Sequence, residues 1–563
     1  MEAVLQVINL IGGLGIFLIG MRIMGEGIQR RAGDRLRKVL HRLTDNRFSG
    51  VLTGMGVTAV IQSSSATTVL LVGLVNAGLI TLTQSIGVVM GANIGTTFTA
   101  WMVSILGFKV KITSLALPAI AIAIPFYFSA SAKRRETAEI LIGFGLLFLG
   151  LHLMKESVPD IKNNPEILSF LSRWSNWGYG SIFIFILVGT LLTVIVQSSS
   201  AAMAITITMA FRGWISFPIA AAIVLGENIG TTLTAFLASI PMNATAKRTA
   251  RAHMIFNIIG VVWMLFLFYP FTRMVDTIMP GDVTDPVNIP VHLSLFHSLF
   301  NIANTILLIP FVTFLGKIAE MLVKEKAPVP GTQAYKLRLI PTNLPDALES
   351  NLITIQGELA EMGSLTLRMM ELIREVIAEP KRISKIEMEI AEKEQLTDDM
   401  QEEITRFLTQ CMQLPVSENQ ARNIHSSQRI AHELESIADS CFSITLHLNR
   451  LLKKGWRIHD EANKELSKYT LQVMDFLRYN DDYLERKTEF YDYDEAQKME
   501  DGIDKVRKKL RKRSRKTIEK GTDGDVKGEL IFIDIVRHLE HIGDNCLNIT
   551  DALADMEGFI QKT

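Results

Sequence analysis

Apolar runs fill roughly the first 320 residues, and their lengths fall into two kinds. Segments at about 4–28, 83–106, 112–130, 137–154, 214–240, 252–271 and 291–316 are long enough to cross a bilayer. Two more, at about 49–80 and 180–211, are split at their centres by Gln62-Ser63-Ser64-Ser65 and Gln197-Ser198-Ser199-Ser200. Each arm beside these centres has only about 13–15 apolar residues, roughly 20–22 Å as a helix, against a hydrocarbon core of ~30 Å. Such an arm reaches mid-membrane and turns back. After Pro328 and Pro330 the pattern becomes polar with helical periodicity, at about 343–379, 383–413, 417–454, 461–489, 493–520 and 527–558. Pro380, Pro415 and the stretch from Gly521 to Gly524 separate these segments. The pattern predicts an all-α chain: a membrane domain at 1–325, a linker at 326–340, and a helical domain of two three-helix bundles at 341–563.

The membrane domain repeats itself. Gln62–Ala66 recurs as Gln197–Ala201, and Gly91-Ala92-Asn93-Ile94-Gly95-Thr96-Thr97 recurs as Gly226-Glu227-Asn228-Ile229-Gly230-Thr231-Thr232, both at an offset of 135. Gly20-Met21-Arg22-Ile23-Met24 also resembles Gly150-Leu151-His152-Leu153-Met154, at an offset of 130. One Ser-Ser-Ser within a span is ordinarily helix-packing material. Two in fixed register, each with its Asn-Ile-Gly-Thr-Thr partner, mark a duplicated unit and a site, with repeats at about 1–135 and 136–320.

Charge sets the orientation. The chain is neutral overall, with 58 Lys+Arg and 58 Asp+Glu, but residues 1–330 carry 24 and 15 and the rest 34 and 43. Arg30, Arg31, Arg35, Arg37, Lys38, Arg42 and Arg47 make the first loop cytoplasmic by the positive-inside rule. If each Gln-Ser-Ser-Ser segment enters and leaves on one side, Lys133–Arg135 and Lys247–Arg251 also fall inside, and Asp276, Asp282 and Asp285 fall outside. Each repeat then has three crossings and one re-entrant hairpin, and the second copy is inverted relative to the first. The N-terminus is expected outside and the C-terminal domain in the cytoplasm, in a multi-pass plasma-membrane protein. Glu2 and the lack of a basic leader read as a retained first span. Cys411, Cys441 and Cys546 show neither disulfide nor zinc spacing.

A turn at mid-membrane exposes helix ends where no water replaces the lost backbone partners, so it must line a site. The starting helix offers N–H groups to an anion and the ending one offers carbonyls to a cation. Ser63, Ser64, Ser65, Ser198, Ser199 and Ser200 add hydroxyl donors for a tetrahedral oxyanion. Gln62 and Gln197 can present an amide N–H to an anion or a carbonyl to Na+. Asn93, Thr96, Asn228 and Thr231, with their glycine neighbours, are expected to break the adjacent spans and complete cation shells. No Lys or Arg lies in these motifs, so a co-bound cation would offset the cost of the anion in a low-dielectric site. That chemistry is cation-coupled anion symport, with Glu227, opposite Ala92, as the coupling candidate.

These motifs resemble the type II sodium–phosphate cotransporter family over roughly residues 1–320. The resemblance implies Na+-coupled transport of inorganic phosphate by alternating access. It places phosphate on Gln62–Ser65 and Gln197–Ser200, and Na+ on Gln62, Asn93, Thr96, Gln197, Asn228 and Thr231. Another oxyanion such as sulfate or arsenate, a phosphate sensor without turnover, and import against export all stay open. No nucleophile–base pair, P-loop or zinc motif points to an enzyme.

The C-terminal half is duplicated too. Glu394 and Asp398 recur as Glu500 and Asp504, offset by 106, and Glu435 and Asp439 recur as Glu540 and Asp544, offset by 105. A spacing of four puts both carboxylates on one helix face. Two such helices fit either a hard divalent metal or a solvated acidic stripe. Arg537-His538-Leu539-Glu540-His541-Ile542-Gly543-Asp544 resembles the motif of the PhoU family, with Gln428–Asp439 a looser copy. That resemblance implies metal-cluster binding and regulation of phosphate uptake. The basic run Lys505–Lys520 reads as a solvated face or a contact with anionic headgroups, not a nucleic-acid surface. Expected partners are phosphate, Na+ and the lipid bilayer, with a homodimer open.

Overall fold

The computed structural model describes residues 2–42, 46–109, 113–129, 131–158, 174, 177–324, 335–340, 347–413, 416–485, 492–521 and 524–557. The N-terminal part contains α1 (Glu2–Arg42), α2 (Arg47–Ile61), α3 (Ser64–Asn76), α4 (Leu82–Met102, continued by a π-helical stretch Val103–Lys109), α5 (Thr113–Tyr127) and α6 (Ala132–Ser157). It goes on with α7 (Tyr179–Val196), α8 (Ser199–Phe211), α9 (Phe217–Ser239), α10 (Ala244–Ile278), α11 (Ile289–Leu308) and α12 (Val312–Leu322). The C-terminal part contains α13 (Ala347–Ala378), α14 (Ile383–Cys411), α15 (Glu418–Lys454), α16 (Ala462–Leu484), α17 (Tyr493–Lys520) and α18 (Val526–Glu557). Among the described residues no strand occurs. The chain divides into two compact units, one holding α1–α12 and the other α14–α18 with most of α13.

Among the described residues seven helical stretches are apolar and long enough to cross a bilayer: 8–31, 82–108, 133–157, 179–196, 217–239, 244–278 and 289–322. Their outward faces carry large apolar side chains, with Phe183 65 %, Ile195 77 % and Phe266 78 % exposed, as contact with lipid rather than water requires. The set differs from the predicted one in two places. The predicted crossing at 112–130 holds a helix of only 15 residues, roughly 22 Å, because the helix ends at Tyr127 while the apolar run continues through Phe128. Conversely, α7 has 18 residues, because Tyr179-Gly180-Ser181 lengthens it beyond the predicted arm. The other arms keep the predicted size: α2 has 15 residues, α3 has 13 and α8 has 13.

The expectation that Asn93, Thr96, Asn228 and Thr231 break their spans is not met. Helices α4 and α9 run without interruption through Leu82–Met102 and Phe217–Ser239. The glycines beside these residues serve close packing instead. A Cβ on Gly91 would lie 1.9 Å from the Val51 carbonyl oxygen of α2, and one on Gly226 would lie 1.9 Å from the Ile186 carbonyl oxygen of α7. Each long helix is thus pressed backbone to backbone against the arm that precedes its own turn.

Helices α1 and α6 meet in the same way. Gly13 abuts Gly150 and Gly20 abuts Gly143, so the two helices run antiparallel. Residues 13 and 143, and 20 and 150, are equivalents at the offset of 130, so exchanging the two halves turns one contact into the other. A self-complementary contact of this kind is what a two-fold relation produces. In the C-terminal unit α15 and α18 behave alike. Asn545 Nδ2 donates to Ser436 Oγ at 3.1 Å, and Ser440 Oγ lies 3.2 Å from His541 Nδ1. At the offset of 105 these two pairs also interchange. Helices α15 and α18 therefore share a polar seam.

A Cβ at position 20 would lie 2.3 Å from the Leu147 backbone nitrogen, so the glycine seam admits no side chain. Gly20→Leu is expected to lower the stability of the membrane unit by about 1–3 kcal/mol or more. A thermal melt of the detergent-solubilised protein measures this, and an unchanged midpoint would show that the seam is not close-packed.

Candidate functional site

Both Gln-Ser-Ser-Ser centres fold into one backbone shape. Gln62 ends α2 at φ 61°, ψ 21°, and Gln197 ends α7 at φ 53°, ψ 25°. These are the non-glycine residues with positive φ among the described residues. Glutamine in this left-handed region costs of order 1 kcal/mol, which glycine would avoid. Strain kept in both copies points to a use for the side chain. Ser63 then caps α3 and Ser198 caps α8, their hydroxyls accepting from Ala66 N at 3.1 Å and Ala201 N at 3.2 Å. The first backbone N–H groups of α3 and α8, at Ser64, Ser65, Ser199 and Ser200, have no intrahelical acceptor and carry the positive end of each helix dipole. Ser64 Oγ is buried without a hydrogen-bond partner.

The side chains around the turns divide by role. Gln62 Nε2 donates back to the Ala59 carbonyl, and its Oε1 accepts from Thr99 Oγ1 at 2.9 Å. Asn93 Nδ2 donates to Val89 O and Asn228 Nδ2 to Val224 O, each at 2.9 Å, which leaves the amide oxygens as the available ends. Thr96 and Thr231 hydroxyls donate to Ala92 O at 3.0 Å and Glu227 O at 2.8 Å. Their lone pairs remain free to accept or to coordinate. Glu227 is 2 % exposed, and its carboxylate accepts from Thr206 Oγ1 of α8 at 2.7 Å. The acid therefore ties α9 to the helix that starts at the second turn.

One contact joins the two halves here. Ser65 Oγ lies 3.5 Å from Thr234 Oγ1 of α9. Thr234 also lines a small cleft with Thr193, Gln197, Gly230 and Leu233. The first turn and the second turn thus share Thr234 as a neighbour. The Asn-Ile-Gly-Thr-Thr repeat alone does not single out Thr234 or its equivalent Thr99, although the repeat extends two residues further, as Phe98-Thr99 and Leu233-Thr234.

The acidic pairs of the C-terminal unit are brought near one another but not to a point. Burial raises the Glu394 carboxyl, with further contributions from Asp439 and Asp398, and burial raises Glu435, with Asp439 next. Arg507 of α17 pairs with Glu540 of α18 and, at 2.5 Å, with Asp504 on its own helix. Glu500 and Asp544 are raised mainly by burial, and Arg507 partly offsets this. Among the described residues no group of three or more His, Cys, Asp or Glu side chains is placed to hold a metal ion. Of the two readings open for Glu394, Asp398, Glu435, Asp439, Glu500, Asp504, Glu540 and Asp544, no divalent-metal site is therefore seen among the described residues, and in the second set Arg507 supplies a counter-charge.

Known proteins agree with this division. The profile of the Na+/Pi-cotransporter family matches residues 16–156 and 170–279, and that of the PhoU domain matches residues 359–446 and 483–553. The chain thus joins a Na+/Pi-cotransporter family domain to a PhoU domain. It is 28 % identical over 380 residues to the "Putative inorganic phosphate export protein YjbB" of Salmonella typhimurium, covering 67 % of this chain and 66 % of that one. The "Uncharacterized protein YqeW" of Bacillus subtilis is 29 % identical over 313 residues, 55 % of this chain and 96 % of its own. A shorter stretch of 106 residues is 30 % identical to the "Sodium-dependent phosphate transport protein 2A" of Rattus norvegicus, covering 18 % of this chain and 16 % of that one. No solved structure matches the chain.

Two outcomes follow from the charges and contacts. Glu394 and Glu435 hold protons more tightly folded than unfolded, so the stability they confer is present at low pH and lost as pH rises through their raised values. Amide exchange in α14 and α15, corrected for intrinsic rates, is expected to be faster at about pH 8 than at about pH 5.5. Asp439→Asn should flatten that difference; an equal difference in the variant would remove Asp439 as a cause. Thr234→Val is expected to weaken phosphate binding about tenfold, a loss of about 1.4 kcal/mol, while Thr208→Val, whose hydroxyl bonds its own helix at Ala204 O, leaves it unchanged. Equilibrium binding of ³²P-phosphate compares the two.

Proposed function

We propose that the chain carries inorganic phosphate across the plasma membrane together with Na+, by alternating access of two inverted halves, and that the PhoU unit regulates this from the cytoplasm. One observation carries the reading: two strained Gln-Ser turns of the same shape, each opening a helix N-terminus, with Thr234 beside both. Phosphate sits on the N–H groups and hydroxyls of Ser63–Ser65 and Ser198–Ser200. Na+ takes the amide oxygens of Asn93 and Asn228 and the lone pairs of Thr96 and Thr231, with Gln62 and Gln197 between the two ions. Each positive ion lowers the cost of the anion in a site that contains no basic side chain. Glu227 holds α8 and α9 together and gives the second half an ionisable group where the first half has Ala92. Membrane potential contributes about 2.3 kcal/mol per charge per 100 mV to inward Na+.

The printed name of the Salmonella relative favours export as a second reading of direction. The same site serves either direction, since the ion gradients and the regulatory unit decide the net flow.

Flux of ³²P-phosphate in proteoliposomes with and without a Na+ gradient tests the reading. Uptake that is Na+-dependent in the wild type should fall at least about a hundredfold, about 2.7 kcal/mol, in Gln62→Gly and Gln197→Gly. Glycine keeps the left-handed turn, so the loss reports the amide rather than the backbone. Wild-type flux in both variants would remove the glutamines from the site, and flux indifferent to Na+ would remove the coupling.

A further inference from the structure

A second group of buried polar atoms lies where α4, α10 and α11 meet, and none of the motifs accounts for it. Asn257 Oδ1, Asn301 Oδ1 and Thr305 Oγ1 are buried with no hydrogen-bond partner, and Asn257 and Asn301 are each 0 % exposed. His253 Nδ1 and His297 Nδ1 are unpartnered as well. Each amide nitrogen has a partner: Asn257 Nδ2 donates to His253 O at 3.1 Å, and Asn301 Nδ2 donates to His297 O at 2.9 Å. What remains unpaired on the asparagines is therefore acceptor oxygen.

Contacts along α4 bring these residues to one level. Ser85–Thr249 at 2.9 Å and Asn93–His253 at 3.4 Å make α10 parallel to α4. Trp101–Ser298 and Ser104–Ser294, both 2.9 Å, make α11 antiparallel to it. One turn beyond His253 is Asn257, and one turn beyond Ser298 is Asn301, so both arrive beside α4 between Asn93 and Trp101. Asn304 Nδ2 donates to Phe256 O at 3.2 Å, so the next residues along the two antiparallel helices, Thr305 and Asn257, fall at about the same height.

An unmade hydrogen bond on a buried acceptor costs about 1–3 kcal/mol, so three in one place require an occupant. We propose that this junction is a binding site for one monovalent cation of Na+ size, held by Asn257, Asn301 and Thr305 and separate from the Gln-Ser turns. Neutral oxygens suit a hard monovalent ion, the atoms left without any partner on the asparagines are acceptors, and residues 82–102, 244–275 and 289–308 carry no Asp or Glu to compensate a divalent charge. Asn93 connects the junction to the transport site, because its amide contacts His253 while it sits on the helix that faces the first turn. The choice of Na+ as the probe rests on the sodium-coupled reading.

The test is the thermal midpoint of the whole protein in detergent, titrated with NaCl without phosphate, against choline chloride as an ionic-strength control. Wild type is expected to show a Na+-specific rise. Asn301→Leu and Thr305→Val should move the Na+ midpoint up about tenfold, about 1.4 kcal/mol, while Thr305→Ser should retain it. If Asn301→Leu does not fold, as judged by helical content and gel filtration, the threonine pair decides alone. No Na+-specific rise in wild type, or the same Na+ midpoint in the valine and serine variants, would overturn the site and leave water as its occupant. Phosphate flux indifferent to Na+, with the Na+-specific rise intact, would instead overturn the coupling and leave this site standing.

Discussion

Inside a bilayer a backbone N–H or carbonyl has no water to fall back on, and almost every feature of the N-terminal unit answers to that constraint. Helices satisfy it along their length but not at their ends. Where α2 gives way to α3 and α7 to α8, several donors lose their intrahelical acceptors between apolar arms. The serine caps satisfy one donor in each turn. The rest have no intrahelical acceptor, and in the proposed reading they hold an anion with cations nearby. Substrate choice thus begins as a problem of backbone accounting, and the side chains refine it.

The same constraint explains why close packing takes the form it does. Without a hydrophobic drive between helices, contact area and van der Waals density must hold the unit together. Glycine on α4, α9, α1 and α6 lets backbones touch, so the turns are clamped by the long helices beside them. A turn held this way keeps its strained glutamine in one conformation, which fixes where the amide reaches. Rigidity at the turn is therefore bought by the small residues of its neighbours.

Much of this was legible in the sequence. The helices of the C-terminal unit begin and end within a few residues of the polar-to-apolar periodicity, as at Ile383–Cys411 and Glu418–Lys454. The two turns were legible because the same polar string interrupts two apolar runs. Helix continuity was not: the glycines of α4 and α9 look like breakers to a local rule and act as contact points in the fold. Thr234 was hidden because its meaning depends on Ser65, 169 positions away. The junction of α4, α10 and α11 was hidden for a like reason, since isolated Asn and His residues in a span give no pattern until three helices align them. The acidic pairs fell between these cases. Their spacing placed them on the right faces, but only the fold could put Arg507 against Glu540.

The glycine contact between α1 and α6 has one more consequence. The backbones touch at Gly13, Gly20, Gly143 and Gly150, where no rotamer can change, and Phe17, Met24, Leu147 and Leu151 are buried in the cluster beside them. The separation of the two helices is therefore set by hard atomic radii at the glycines and by packed apolar side chains between them. A seam built this way holds one spacing: the helices cannot draw closer without a backbone clash, or part without opening a void.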